Sequence, residues 1–166
     1  IGIELDYSVS DKNNKYSSRL NSALILLLKK LIKKYKISTE NVLGHSDIAP
    51  YRKIDPGKYF LWQNLENKNL SYRLQNVNRS DINKTLVNEK FFKNKTNSIK
   101  KKILFMLNFI GYDISLAKKN KIHFNQLIDA YSDHYRLYKN YYYNKKKIFD
   151  VIEIHFLNII LTKNKK

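Results

Sequence analysis

The residues of this chain that could do chemistry are concentrated in one short loop, residues 44–57, which reads GHSDIAPYRKIDPG. His45 and Asp55 are both of the residue types that bind zinc, and the prolines of this loop stiffen the backbone enough to bring the two side chains to one ion. Because the chain has no cysteine and no nearby histidine that could serve as a third ligand, an open catalytic metal site is a better interpretation than a closed structural one. On spacing alone, a hydrogen-bonded His–Asp pair without a metal is an equal alternative.

The elements around this loop predict an α/β fold. Apolar residues alternate over residues 1–5, which predicts a strand with Glu4 on the face opposite the apolar side chains. An amphipathic helix follows, capped by Ser17 or Ser18, and a brief apolar strand over residues 41–43 leads into His45. Strand, helix and strand indicate a crossover within a mixed sheet flanked by helices, with His45 just past a strand end.

The rest of the chain predicts a small helical domain. An aromatic turn at residues 59–65 closes the first domain, which we place at residues 1–66, and the polar residues 67–97 are interpreted as a linker. Three amphipathic helices are predicted within residues 98–166, the first of them ending at Gly111. The predicted fold is therefore part of an α/β domain followed by a three-helix α domain.

The net charge of +18 favours a polyanionic partner, but its distribution favours a simpler explanation. The lysines are spread along the chain and accompany abundant Asn, Ile and Tyr, which indicates compositional drift with solvated lysine faces. Residues 138–147 interleave tyrosine with lysine and could stack on bases or sugars, but a basic loop between helices is the better explanation. A basic nucleic-acid-binding protein therefore stays an alternative, and no nucleic-acid partner is expected.

The order of residues in the loop closely resembles the signature of the zinc-dependent N-acetylmuramoyl-L-alanine amidases. The resemblance runs from residue 1 to about residue 65, and Tyr51 stands where that family often has glycine. It implies that His45 and Asp55 are zinc ligands, that Glu4 takes a proton from the zinc-bound water, and that Lys53 stabilises the developing oxyanion. The implied reaction is hydrolysis of the amide bond between N-acetylmuramic acid and L-alanine in peptidoglycan or muropeptides.

The resemblance also implies a third zinc ligand, a histidine upstream of the Glu4 segment. Since the chain begins without Met and opens as if in the middle of a sheet, we expect it to be the later part of a longer protein that carries this histidine. The remaining histidines, His123, His134 and His155, are interpreted as packing or surface residues. With two ligands of three, a non-catalytic or decayed peptidoglycan-recognition protein is a second hypothesis.

Residues 98–166 resemble, more loosely, the helical peptidoglycan-binding-like module of the longer outer-membrane branch of these amidases. The residues that carry the resemblance are 109–113 and 130–136. The branch implies the periplasm or the outer membrane as the compartment, with the cytoplasm as the alternative. It also allows an association with the outer membrane through the missing N-terminal segment, and a monomer is expected.

Overall fold

The structure, a computed structural model, describes residues 1–7, 16–75, 98–135 and 145–163. Within these ranges the regular elements are helical, and they comprise one short 3₁₀ helix and six α-helices. The 3₁₀ helix spans Thr39–Asn41. The α-helices are α1 (Ser18–Tyr35), α2 (His45–Ile48), α3 (Trp62–Glu66), α4 (Ile99–Ile110), α5 (Lys121–His134) and α6 (Lys145–Lys163).

The predicted α/β class is wrong for the described part of the chain, which contains helices and no strand. Residues 1–7 belong to no regular element, and the segment predicted as a strand over residues 41–43 begins inside the 3₁₀ helix instead. Apolar alternation reports which side chains face a core, and Ile3 and Leu5 do pack against one. A strand also needs a neighbouring strand to complete its hydrogen bonds, and alternation does not supply that neighbour.

Helix α1 shows how local sequence sets an element and its buried face. Ser17 is its N-cap, and the Ser17 Oγ accepts a hydrogen bond from the backbone N–H of Leu20 at 3.1 Å. Leu24 and Leu28, four positions apart, are buried on one face. They join an aromatic core with Tyr16, Phe60, Trp62, Leu65 and Leu70, which we call the N-terminal core.

The second core lies among the last three helices. Helices α4 and α6 pack against each other, and helix α5 packs against α2. The large apolar and aromatic side chains that are almost completely excluded from solvent here are Met106, Leu107, Leu127, Tyr131, Ile152, Phe156 and Leu157. Among the described residues this C-terminal core is larger than the N-terminal one, so it supplies more of the hydrophobic stabilisation. Residues 98–135 and 145–163, which supply most of this core, are called the helical part below.

The first residues of the predicted linker, 67–75, pack tightly. Leu70 and Ser71 are buried, and the ring of Tyr72 stacks on that of His155 with the centroids 5.2 Å apart. The Asn158 side chain accepts from the N–H of Gln75 at 3.1 Å and donates to its carbonyl at 3.0 Å. Residues 67–75 therefore attach the N-terminal part to helix α6, whereas residues 76–97 and most of the tyrosine–lysine stretch at 138–147 lie outside the described residues.

No helix in the described ranges combines the length and the apolar character that crossing a bilayer requires.

His155 on α6 is a buried titratable group with a consequence for stability. Its Nδ1 lies 3.2 Å from the Tyr131 hydroxyl. Burial, reinforced by the neighbouring His134, lowers the pKa of His155 from 6.5 to about 3, while Asp47 opposes this shift. The unfolded chain therefore binds a proton at this residue below about pH 6.5, whereas the folded chain stays neutral there until about pH 3.

We expect the His155→Phe variant to lose part of the acid sensitivity of folding. Between about pH 6.5 and pH 4 the wild-type residue costs up to about 1.4 kcal/mol of unfolding free energy per pH unit, and phenylalanine has no proton to bind. The measurement is urea unfolding of both proteins across this range. Parallel pH dependences for the two proteins would contradict the assignment.

Candidate active site

Helix α2 is a single turn that presents the first predicted ligand. Gly44 precedes it in an extended conformation, and the Oδ2 of Asp47 accepts a hydrogen bond from the Gly44 backbone N–H at 2.7 Å. This bond satisfies a donor at the helix start that has no partner within the helix. His45 is the first residue of α2, so the Asp47 carboxylate helps to set where α2 begins and thus where His45 lies.

His45 and Asp55, the two predicted zinc ligands in this chain, are side by side. The Nδ1 of His45 lies 3.0 Å from the Oδ2 of Asp55, and their side chains are 41% and 54% exposed. The backbone holds them there, because the N–H of Ser46 donates to the carbonyl of Asp55 at 2.9 Å. The loop thus closes on itself and brings the two predicted ligands together.

The N-terminal core fixes both ends of this loop. The hydroxyl of Tyr16 donates to the carbonyl of Pro56 at 2.9 Å. At the other end Gly44 is tightly enclosed, since a Cβ there would lie 2.7 Å from Pro56 Cδ and 3.2 Å from Trp62 Cζ2. Glycine is therefore required at this position by close packing.

The His45–Asp55 pair fits two positions of a zinc site. Two ligand atoms that each lie about 2.1 Å from one tetrahedral ion are roughly 3.4 Å apart. The distance between His45 Nδ1 and Asp55 Oδ2 therefore needs only a small increase for the two atoms to share an ion. An imidazole nitrogen and a carboxylate oxygen are both atoms that bind zinc in proteins. However, the described residues contain no group of three His, Cys, Asp or Glu side chains that could hold a metal. The pair accounts for two ligands and leaves the remaining positions open.

The two predicted catalytic residues lie in different settings. Glu4 is exposed in the irregular segment 1–7, and the structure does not gather it with His45 and Asp55 into one metal-holding group. Lys53 is half-buried, and its backbone N–H donates to the carbonyl of Ala49 at 3.0 Å. The structure therefore fixes the backbone at Lys53, while the catalytic role of Glu4 stays a prediction from the sequence resemblance.

Lys53 lines a cavity of about 180 Å³ between the loop and helix α5. The cavity wall carries charges of both signs. Burial, followed by the proximity of Asp133, raises the pKa of Asp129 in this wall. The loop contributes Ser46, Pro50, Tyr51, Arg52, Lys53 and Ile54, and helix α5 contributes Gln126, Asp129, Ala130 and Asp133. The helical part therefore forms one wall of the space beside Lys53.

A buried hydrogen-bond network that sequence reasoning missed joins the loop to the helical part. The hydroxyl of Tyr112 donates to Oδ1 of Asp47 at 2.5 Å, and Nδ1 of His134 donates to Oδ2 of Asp47 at 2.6 Å. All three side chains are buried. Burial, together with Asp47, raises the pKa of Tyr112 well above its usual value, so its hydroxyl keeps the proton that it donates. An acidic residue in the third position of a helix start was the one local signal for a structural role of Asp47.

The ring of His134 is enclosed by two aromatic rings. It stacks on Trp62 with the centroids 3.6 Å apart and on Tyr135 at 4.0 Å. His155 is buried near it, and His123 is half-buried with its ring edge-on to Tyr51 at 5.4 Å. All three histidines of the helical part thus pack among protein side chains, and none joins His45 and Asp55 in a group of three metal-binding residues.

Comparison with known proteins shows which class of protein this segment is similar to. Residues 1–58, which include Glu4 and the loop, match the family described as N-acetylmuramoyl-L-alanine amidase. The match covers about a third of the chain. Together with the relatives below, it shows that this part of the chain is similar to N-acetylmuramoyl-L-alanine amidases.

Two curated relatives agree with that class. The N-acetylmuramoyl-L-alanine amidase AmiD of Escherichia coli (strain K12) is 46% identical over 71 residues, which is 39% of this chain and 26% of AmiD. The 1,6-anhydro-N-acetylmuramyl-L-alanine amidase AmpD of Enterobacter cloacae is 40% identical over 62 residues, 37% of this chain and 32% of AmpD. The matched segment thus spans between a quarter and a third of either relative.

Two solved structures resemble more of the chain. The complex of E. coli AmiD with the substrate anhydro-N-acetylmuramic acid-L-Ala-D-gamma-Glu-L-Lys matches with a TM-score of 0.60 at 27% identity, over 90% of this chain and 53% of that one. AmpDh3 from Pseudomonas aeruginosa matches with a TM-score of 0.62 at 24% identity, over 92% of this chain and 56% of that one, and this likeness shows the fold alone. Because these matches cover about nine-tenths of the chain, they include most of the helical part.

We expect Gly44→Ala to destabilise the protein by about 1–3 kcal/mol, because the new methyl group must displace Pro56 or Trp62 in a closely packed site. Gly2→Ala is the matched control, since nothing lies within 4 Å of a Cβ at that position. Urea unfolding of both variants is the measurement, and the control should stay within about 0.5 kcal/mol of wild type. Equal costs for the two variants would show that the packing around Gly44 is not as described.

Proposed function

We propose that this protein hydrolyses the amide bond between N-acetylmuramic acid and L-alanine in peptidoglycan or muropeptides. The single observation that carries the proposal is the adjacency of His45 and Asp55, 3.0 Å apart, within the segment that matches the amidase family. Two ligand-type side chains at the surface, held by a closed backbone loop, are suited to a catalytic metal that must remain accessible to substrate.

We propose zinc as the cofactor. His45 and Asp55 would supply two ligands, and a third would come from outside the described residues. When bound, zinc lowers the pKa of its bound water to about 7 and polarises the substrate carbonyl. The exposure of both side chains leaves room for the water and for the substrate.

Glu4 and Lys53 are the proposed catalytic residues of this chain. The carboxylate of Glu4 accepts a proton from the attacking water and later delivers it to the leaving amine of L-alanine. The ammonium of Lys53 stabilises the negative charge that develops on the former carbonyl oxygen. Half-burial beside the cavity suits this task, because reduced solvent screening strengthens the interaction of the ammonium with the oxyanion.

The proposed substrate class is a muropeptide or the intact wall. The solved relative AmiD is in complex with an anhydromuramoyl peptide. The cavity beside Lys53 is not lined by His45 or Asp55, but its wall has both cationic and anionic side chains, and we propose that it takes part of the charged stem peptide. The periplasm or the outer membrane is the proposed compartment, and a monomer the proposed state.

We expect Lys53→Met to lower kcat for stem-peptide release from an anhydromuropeptide by about a hundredfold or more, because it removes the oxyanion stabiliser but keeps the aliphatic stem. Lys58→Met is the control: Lys58 is exposed, lies over the Tyr59 ring at 5.0 Å and does not line the cavity. Both variants should unfold at the urea concentration of the wild type. Chromatography of the released peptides gives the rates.

Two results would contradict the proposal. A protein that binds zinc stoichiometrically yet leaves muropeptides intact would be a recognition protein and not an amidase. Equal activity of Lys53→Met and Lys58→Met would remove Lys53 from the catalytic residues.

A further inference from the structure

The loop that carries His45 and Asp55 is attached to the helical part at a second place besides Asp47. The hydroxyl of Tyr51 donates to the carbonyl of Asp113 at 2.6 Å and accepts from the N–H of Ala117 at 3.2 Å. Burial raises the pKa of Tyr51, so its hydroxyl remains a donor. Since the amidase signature often has glycine here, this tyrosine adds an attachment that glycine could not make.

The two attachments reach the same stretch of the helical part. Tyr112, which binds Asp47, is directly followed by Asp113, whose carbonyl accepts from Tyr51. His134, the other partner of Asp47, ends helix α5, the helix that lines the cavity beside Lys53. A displacement of the helical part would therefore shift Asp47 and Tyr51 together.

The attachment at Asp47 acts on Gly44, the residue directly before α2. Its carboxylate accepts from the Gly44 N–H as well as from Tyr112 and His134, so one group both holds the helix start and receives two donors from the helical part. These three distances, 2.5 to 2.7 Å, are those of strong hydrogen bonds to a carboxylate. Asp47, the centre of this buried network, lies two residues along the chain from His45, whose side chain is exposed.

We propose that Asp47 is a positioning residue, through which Tyr112 and His134 of the helical part hold His45 in place beside Asp55. Tyr51 gives the same loop a second support. The helical part then supports the active site, in addition to any role that it has in binding. This inference rests on the proposed function for the meaning of the His45–Asp55 pair, but the positioning itself can be measured without catalysis.

Tyr112→Phe tests the proposal, and Tyr131→Phe is the matched control. Both tyrosines are buried and lose only a hydroxyl, but Tyr131 bonds to Val151 and His155 inside the C-terminal core. The first measurement is amide hydrogen exchange over residues 44–48. We expect Tyr112→Phe to speed exchange there about tenfold, and Tyr131→Phe to leave it within about twofold of wild type at a comparable loss of stability.

The second measurement is the kinetics of muropeptide hydrolysis. A displaced His45 should lower kcat about tenfold in Tyr112→Phe with KM within about twofold, whereas Tyr131→Phe should keep both constants. If Tyr112→Phe does not fold, Tyr51→Phe replaces it, because Tyr51 is only half-buried, and faster exchange is then expected over residues 49–53.

The outcomes separate this proposal from the proposed function. Equal exchange in Tyr112→Phe and Tyr131→Phe, with an active wild-type protein, would overturn the positioning role alone. Faster exchange confined to Tyr112→Phe, with a wild-type protein that releases no stem peptide, would support the positioning role and overturn the proposed function.

Discussion

The carboxylate of Asp47 is the group on which the arrangement of the loop depends. It is buried, and a buried carboxylate is costly unless donors surround it. Gly44 supplies one donor from the loop itself, and Tyr112 and His134 supply the other two from the helical part. Hydrogen bonds to charged groups typically contribute about 1.5–3 kcal/mol each, so separating the two parts would leave Asp47 with a large uncompensated cost.

The aromatic packing around His134 follows from the same constraint. Its ring lies between Trp62, a member of the N-terminal core, and Tyr135, a member of the C-terminal core. Stacking fixes the plane of the imidazole, which in turn aims its Nδ1 at Asp47. The contacts of Tyr72 and Gln75 with helix α6 join the two parts at a third place, after Asp47 and Tyr51. The loop is thus supported by both cores.

Local sequence was sufficient for features that depend on local physics. The cap at Ser17, the end of α4 at Gly111 and the apolar faces of the C-terminal helices follow from short-range geometry. The structure also places the side chains of His45 and Asp55 next to each other across the loop. The sheet was wrongly predicted, because alternation over residues 1–5 cannot supply a partner strand. The Asp47 network escaped prediction because it joins residues 65 and 87 positions apart, beyond the reach of any periodic pattern.

The energetic coupling between Asp47 and His134 decides whether the helical part holds the loop in place. In a double-mutant cycle, Asp47→Ala removes the acceptor, and His134→Phe removes the donor while keeping a ring between Trp62 and Tyr135. If the two residues act as a pair, the loss of unfolding free energy in the double variant should differ from the sum of the two single losses by about 1.5 kcal/mol or more. Additivity within about 0.5 kcal/mol would mean that the two residues do not act as a pair, and would contradict the account.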